Sequence, residues 1–392
     1  MSTARLGASI RRILPLAWPV FVGQVAVLGF ATVDTLLMAR HSATDLAALA
    51  VGGAAYITVF IGLMGAVLAV GPIVGQAYGA QRLREAGHQA WQAAWLALAL
   101  ALLGSVLLCF PAPFLALAQA SPEVEHKVRG YLLALALALP ASLLFTVYRG
   151  FNLAVSRPKA VMALQLAGLG LKLPLSWGLA TGVPALGLPA LGVQGCGLAT
   201  MLAMWLQALV AWQVLRRDRF YLRFEFSLPG QRRLHMASQR ALLRLGLPMG
   251  MGIMVEVTAF SMMAIFISRI GVTAVAGHQI AVNLVSLLFM LPLGLSNATS
   301  TLVAQRIGAG DLADARRLGW HGLQLALLLG LLVGWVVFVL REPVLRLTPT
   351  SRPCWPPPCP CWPGWRCSMP PTRCRPWLLS CCAPGVWPRC RC

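Results

Sequence analysis

The sequence predicts an all-α integral membrane protein built from two parallel-repeat helical lobes. Composition, the length of the apolar stretches and an internal repeat lead to this fold class. The 392 residues are 58% hydrophobic and 11% charged, with a mean hydropathy of +0.73, which is too apolar for an ordinary soluble domain. Residues 1–347 contain repeated apolar stretches of the roughly 20 residues that cross a bilayer as a helix.

Nine membrane helices are predicted, six before a long polar loop and three after it. Short basic segments separate them. No removable signal peptide is expected, because the first apolar segment after Arg11 and Arg12 is too long and contains an acid. The predicted helices are centred on Val27, Gly62, Leu102, Leu137, Leu169, Trp205, Phe260, Leu288 and Leu329.

The second half of the chain repeats the first at a fixed offset of 229 residues (248 − 19). Pro19 aligns with Pro248 and Gly79 with Gly308, without a gap over about sixty residues, which makes chance similarity a poor explanation. An even number of helices precedes the second copy, so both copies enter the membrane in the same orientation. Two bundles that face each other across a central cleft are typical of an alternating-access transporter.

These patterns divide the chain into four parts. They are an N-terminal six-helix lobe at 1–216, a cytoplasmic inter-lobe loop at 217–240, a partial C-terminal lobe at 241–347 and a tail rich in Cys, Trp, Pro and Arg at 348–392. The repeat requires three more helices after the ninth. About nine of twelve expected transmembrane helices are therefore present, and the second lobe is truncated.

The net charge of +21 is arranged by the positive-inside rule. Basic residues concentrate in alternate loops, so we expect a multi-pass protein of the bacterial inner (cytoplasmic) membrane with a cytoplasmic N-terminus. They do not gather on one amphipathic element, so the expected partner is the lipid bilayer and not nucleic acid, and a monomer is expected. The basic residues assigned to cytoplasmic loops include Arg11, Arg12, Arg82, Arg84, Arg149, Arg157, Lys159, Arg306, Arg316 and Arg317.

Asp34 and Glu256 are acids inside predicted membrane helices. Such charges are costly and usually functional. The offset places Asp34 opposite Met263 and Glu256 opposite Val27, so neither acid is a by-product of the duplication. A buried carboxylate can carry a proton or, with oxygen neighbours, hold Na⁺. This coupling role is favoured over the alternative in which each acid pairs with a base such as Lys172 and locks helices together.

A substrate cavity is predicted from polar and pliable side chains. Lys172 lies well inside its helix, where it can snorkel, serve as counter-ion to Asp34 or shape substrate choice. Gln279 and Asn283 share one face of the eighth helix, consistent with either a cavity-lining stripe or interhelical hydrogen bonds. Two further residues suit a pliable hydrophobic cavity, although packing or lipid contact is the more common role of such residues in a membrane protein: Met263 and Phe289.

The tail contains nine of the eleven cysteines. Their irregular gaps disfavour a zinc site, and a reducing compartment disfavours a disulfide scaffold. A frameshift explains the composition of the tail better than either of these sites. Cys and Trp codons both begin with TG, so a frame moved back by one base turns them into Leu, Val or Met codons and restores a membrane helix. The slip is expected near residues 347–351, and Met369–Thr372 then becomes Asp-Ala-Ala-Asp if the preceding bases are G.

Four segments together resemble the multidrug and toxic compound extrusion (MATE) transporters, particularly their NorM-like bacterial branch. They are "PVFVGQVAVLGFATVDTLLMAR", "VGPIVGQAYGA", "LPMGMGIMVEVTAFSMMAIFISRIG" and "AGHQIAVNLVSLLFMLPLGLSNATSTLVAQRIGAG". The resemblance covers nearly all of residues 10–347. It implies twelve helices in two lobes and export of cationic amphipathic drugs in exchange for Na⁺ or H⁺. No nucleophile, cofactor loop or metal-ligand cluster before the tail suggests an enzyme.

The resemblance also implies roles for individual residues. Asp34 matches the family's N-lobe acid, Glu256 its C-lobe cation-site glutamate, where Na⁺ would bind, and Gln279 a polar cavity residue. A further family acid, on helix ten, falls in the altered tail about where Asp-Ala-Ala-Asp would lie. Lys172 stands where an asparagine is expected. The NorM-like branch and Glu256 favour Na⁺ as the coupling ion, with H⁺ close behind.

Two other functions compete with drug antiport. A flippase for lipid-linked sugars has the same architecture but should show a cationic cavity, whereas this chain offers acids and mainly Lys172 as an intramembrane base. A truncated product that transports nothing, or that senses metal through its tail, belongs to another class. Since the altered tail replaces three helices of the second lobe, we expect the chain as given to be inactive in transport.

Overall fold

The computed structural model describes residues 3–112, 115, 122–182, 190–226, 232–268 and 272–339. Met1–Val333 forms one compact unit, and the described part of the second unit, Gly334–Cys392, is the end of the last helix. The predicted tail at 348–392 lies outside the described residues.

Every regular element in these ranges is a helix, which confirms the predicted fold class. Nine helical stretches of the described chain are long and apolar enough to cross a membrane, and each contains one predicted centre. The helices are α1 (Thr3–His41), α2 (Ala43–Leu68), α3 (Val70–Gly79), α4 (Leu83–Cys109), α5 (Pro122–Ala154), α6 (Pro158–Thr181), α7 (Val193–Arg217), α8 (Arg219–Leu222), α9 (Met236–Ser268), α10 (Val272–Gly308) and α11 (Leu312–Val339). Helices α2 and α3 together form one span.

Helix α5 is the centre of the N-terminal lobe. It packs against α2, α4 and α7, and 72% of its membrane span is buried, against 39% or less for the other spans. Its leucines are buried on more than one side because helices surround it. Backbone groups in lipid must be paired within the protein, so a continuous helix is the form that this segment can take.

The two copies of the repeat meet through reciprocal glycine contacts. Gly65 on α2 faces Gly250 on α9, and a Cβ atom at Gly65 would overlap the Gly250 backbone. In the equivalent contact, Gly294 on α10 faces Phe21 on α1, where a Cβ would lie 3.2 Å from the Phe21 nitrogen. At the 229-residue offset, Gly294 corresponds to Gly65 and Phe21 corresponds to Gly250. Small residues let membrane helices approach backbone to backbone.

A second reciprocal contact joins the ends of α3 and α10. A Cβ at Gly79 would overlap the carbonyl of Gln305, and a Cβ at Gly308 would overlap the carbonyl of Gln76. These four residues are again two pairs at the same offset. The lobes therefore contact through the first half of α1 and α9 and the second half of α2 and α10, all at one end of the bundle.

Each of these two helices ends in the same left-handed turn. Gln81 has a φ of 61° after α3, and its counterpart Gly310 has a φ of 80° after α10. The amide of Ala80 donates to the carbonyl of Gln76 at 2.9 Å, and Ala309 donates equivalently to Gln305 at 3.0 Å. A left-handed conformation is strained for glutamine and free for glycine.

The connector between the lobes, residues 218–235, is bound to the N-terminal lobe on both sides of 227–231. Trp91 on α4 donates its indole N–H to the carbonyl of Phe226 at 3.1 Å, and Trp95 donates to that of Arg232 at 2.9 Å. Arg157 pairs with Asp218 at 2.6 Å. The described connector thus belongs structurally to the first lobe.

Candidate functional site

Asp34 lies in the second half of α1 and is only 4% exposed. Two donors from α6 hold its carboxylate: Lys172 Nζ at 2.8 Å from Oδ2 and Ser176 Oγ at 3.1 Å from Oδ1. Lys172 and Ser176 are four residues apart, which places both on one face of the helix. The result is a buried ion pair with a hydroxyl donor on the second oxygen.

Lys172 is itself 2% exposed and fully engaged. Besides Asp34, its ammonium donates to the carbonyl of Phe30 at 3.1 Å and lies 4.8 Å from the centre of the Phe30 ring. Phe30 precedes Asp34 by one helical turn, so α1 supplies the carboxylate, the carbonyl and the aromatic face. This is the geometry of a counter-ion, and the side chain does not extend towards a helix end.

The candidate residues of the second copy lie in a different setting. Glu256 and Asn283 are exposed, as are Met263 at 48% and Phe289 at 45%. The side chain of Gln279 is outside the described residues. Among the described residues no ion pair includes Glu256, which lies inside the predicted membrane helix, here the α9 stretch Met236–Met263. In the same ranges no cluster of three His, Cys, Asp or Glu residues that could hold a metal occurs.

Asp45 is a buried acid that the sequence analysis did not identify. It is 4% exposed at the start of α2 and receives Lys127 Nζ at 3.1 Å and His41 Nδ1 at 2.9 Å. Gly192, with a φ of 54°, lies against it, and a Cβ there would be 2.9 Å from Asp45 Oδ2. Its position at a helix boundary suggests an exposed loop, and only the packing of α5 and Gly192 over it reveals the burial.

Arg149 corrects a prediction made from the sequence. Assigned there to a cytoplasmic loop, it lies inside α5, which continues to Ala154. It lines a cavity of about 110 Å³ between the two copies of the repeat, together with Gln24, Gln165 and Ser300. The apolar pattern ends before Arg149 although the helix does not, and hydropathy alone therefore ends the span too early.

Comparison with known proteins identifies the family. The MatE family model matches residues 19–178 and 248–354, and the two matches begin at residues separated by the repeat offset. The protein of Aromatoleum aromaticum named "Probable multidrug resistance protein NorM" is 40% identical over 342 residues, covering 86% of this chain and 72% of that protein. This chain belongs to the MATE family.

Other comparisons agree with the MATE assignment. The "Multidrug resistance protein NorM" of Aliivibrio fischeri is 32% identical over 353 residues, covering 88% of this chain and 74% of that protein. The crystal structure of the Vibrio cholerae MATE transporter VcmN in the bent form has a TM-score of 0.78 at 18% identity, covering 89% and 78% of the two chains, which supports the fold. As a MATE member of the NorM type, the chain is a multi-pass membrane transporter and not an enzyme.

Proposed function

We propose that this chain derives from a multidrug efflux antiporter that exports cationic amphipathic compounds in exchange for Na⁺ or H⁺. The names of its NorM relatives, which state multidrug resistance, support drugs as the exported compounds. The main support for antiport is the buried Asp34 carboxylate. It already binds one cation, the Lys172 ammonium, at 2.8 Å. A carboxylate that exchanges one bound cation for another is the minimum that ion-coupled transport requires.

The lobe contacts support a direction for the exchange. They lie at the end of the bundle that carries Arg82 and Arg306, which the positive-inside rule assigns to the cytoplasm. Asp34 and Glu256 lie beyond these contacts, in the half of α1 and α9 that approaches the other face. We propose that this arrangement is a state closed to the cytoplasm, in which both acids exchange cations with the outside.

Efflux assays on the frame-restored protein test the roles of the two acids. Asp34→Asn and Glu256→Gln keep the shape and remove the ionisable oxygen, so each is expected to lower ethidium efflux from cells at least about 10-fold. Membrane levels are matched by immunoblot. Full efflux by both single variants contradicts the proposal.

The coupling ion is proposed to be Na⁺, with Glu256 and Asp34 as its carboxylate ligands in separate lobes. Efflux is therefore expected to stop when Na⁺ is replaced by choline and to survive a protonophore as long as the Na⁺ gradient is maintained artificially. The opposite result, efflux without Na⁺ that a protonophore abolishes, assigns the coupling to H⁺.

We propose that the chain as given, with its tail at 348–392, does not transport. The nucleotide sequence around Leu347 tests the frameshift directly. Drug resistance of cells with this chain is then compared with that of cells in which one base near Leu347 is restored, at matched membrane levels. Resistance is expected only from the restored form, because three helices of about twenty residues each are otherwise missing from the second lobe. Equal resistance from both contradicts the proposal.

A monomer with a cytoplasmic N-terminus completes the proposal. Light scattering of the purified protein in detergent measures the mass of the particle after subtraction of the micelle, and a single chain is expected. Reporter fusions at Thr3 and in the connector are both expected to be active only with a cytoplasmic reporter, because the basic loops lie on that side. The mass of a dimer contradicts the proposed monomer. A periplasmic reporter signal contradicts the proposed orientation of the N-terminus.

A further inference from the structure

The cavity lined by Arg149 has a charge that the proposed antiport of cationic drugs does not use. Among its sixteen lining residues Arg149 is the one charged side chain, and none is Asp or Glu. The guanidinium donates to Gln24 Oε1 at 3.2 Å and to Met64 Sδ at 3.9 Å, and no described carboxylate lies within ion-pair distance of it. An arginine has five N–H donors, and the two side-chain acceptors of Arg149 are an amide oxygen and a thioether sulfur, neither of them acidic.

Gln165 provides an independent observation at the same place. It is 3% exposed, lines the cavity, and its buried Nε2 group has no hydrogen-bond partner in the described structure. A buried amide without a partner is unfavourable, and a hydrogen-bond acceptor in the cavity would satisfy it. The cationic guanidinium and the unsatisfied amide donor both line the cavity. An anionic oxygen atom would accept hydrogen bonds from both.

The opposite wall comes from the second copy of the repeat, and its polarity is not inherited from the duplication. Asn297, Ser300 and Thr301 line the cavity, whereas their counterparts at the 229-residue offset are Leu68, Gly71 and Pro72, which also line it. The framework of the cavity is therefore two-fold, but at these three positions hydroxyl and amide groups occur on the second copy alone. Both copies contribute polar side chains to the lining of the cavity.

We infer that this cavity binds a small oxyanion, a carboxylate or phosphate group, between Arg149 and Gln165 of the first copy and Ser300 and Thr301 of the second. About 110 Å³ is ample for such a group, because a cavity of about 150 Å³ holds benzene, whereas drug-sized sites measure about 300–1,000 Å³. The ligand is thus a free oxyanion or the acidic group of a larger molecule. Charge-assisted hydrogen bonds to both copies hold the lobes together at this end.

Equilibrium dialysis of the purified full chain tests the site without any transport, so its outcome is separate from that of the antiport proposal. The probes are radiolabelled inorganic phosphate and benzoate in a buffer that contains neither. Saturable binding is expected, weakened at least 10-fold in Arg149→Gln because the charge is lost. Arg240→Gln removes an exposed arginine outside the cavity and is expected to bind as the wild type does.

The two probes distinguish the sources of the oxyanion. Binding of phosphate alone assigns the site to a free inorganic ion, and competitive binding of benzoate assigns it to the carboxylate of an organic compound. If Arg149→Gln does not fold, Gln165→Leu and Thr301→Val replace it, each with an expected loss of 3-fold or more. No saturable binding of either probe, or an unchanged affinity in every cavity variant, overturns the inference.

Discussion

The first copy of the repeat buries its membrane acid against a lysine, and the second copy exposes the acid it has. Asp34 is 4% exposed and paired with Lys172, while Glu256 has an exposed side chain. Yet the backbone contacts of the two copies match pair by pair, as Gly65 and Gly294 demonstrate. The helix framework and the chemistry of this protein are therefore specified by different residues. Framework positions recur at the offset, and the two membrane acids Asp34 and Glu256 do not.

The largest expected effect comes from removal of the cation beside the buried acid. Lys172→Met leaves Asp34 charged and unpaired, so the free energy of unfolding should fall by about 3–5 kcal/mol. The double variant with Asp34→Asn removes both charges and should recover at least half of the loss. Reversible denaturation in mixed micelles measures both.

Glu256→Gln is the matched control for this experiment, because its side chain is exposed and it should change stability by no more than about 0.5 kcal/mol. A Glu256→Gln variant as unstable as Lys172→Met would remove the contrast between the two copies.

The next largest effect is expected at the reciprocal glycine contacts. Gly65→Val drives a side chain into the Gly250 backbone and should destabilise the protein by about 3 kcal/mol, measured by the same denaturation. Gly294→Val should act in the same direction. Gly53→Val on α2 is the control, since nothing lies within 4 Å of its Cβ position. Tolerance of valine at Gly65 but not at Gly294 would show that the copies do not pack equivalently.

A smaller effect is expected where the connector joins the first lobe. Asp218 caps α8 by accepting the Phe220 amide, and this bond, together with Arg157, holds the pKa of its carboxyl below the usual 3.8. Asp218→Asn should cost about 0.5–1 kcal/mol, because the pair is more than a third exposed and screened by solvent.

The lowered pKa fixes the sign of the pH dependence for Asp218. A carboxyl with a lowered pKa stabilises above its ordinary value and loses that contribution as pH falls below it. Hydrogen exchange of the Arg219–Leu222 amides should therefore separate wild type from Asp218→Asn at pH 6 and bring them together well below pH 3.8, after correction for intrinsic rates. Asp311→Asn, at the start of α11, should leave these amides unchanged. A difference between wild type and Asp218→Asn that persists at low pH would contradict the assignment.

An effect of similar size is expected at the two left-handed turns, Gln81 and Gly310. Gln81→Gly should stabilise the protein by about 0.5–1 kcal/mol, because glycine adopts a φ of 61° without strain. Gly310→Ala should destabilise it by about 1 kcal/mol for the converse reason. Thermal unfolding by intrinsic fluorescence measures both, and effects of the same sign would mean that the two turns are not equivalent.

Hydropathy and the offset were sufficient to predict the helices, because membrane spans and repeats are encoded locally. All nine predicted centres fall within the observed spans. The reciprocal contacts of Gly79 and Gly308 also follow once the repeat is aligned, since equivalent residues of related copies make equivalent contacts.

Side-chain partners were predictable only as alternatives. Lys172 had three possible roles, as a snorkelling side chain, a counter-ion to Asp34 or a determinant of substrate choice, and the outcome depends on how α1 and α6 pack. Arg149 was assigned to a loop and Asp45 was not singled out, because hydropathy reports the polarity of a residue and not what covers it. Their burial is produced by helices distant in sequence, such as α5 over Asp45 and α10 across the cavity from Arg149.

The paired contacts of Gln76 with Gly308 and of Gly79 with Gln305 have the form of an isologous interface, in which residue i of one subunit meets residue j of the other and the reverse. A single copy would thus possess a surface complementary to itself, as a homodimer does. Covalent linkage through the connector turns that association into an intramolecular one, which no longer depends on protein concentration. Because the two halves need not stay identical, the first copy can have Asp34 where the second has Met263, and the second Glu256 where the first has Val27.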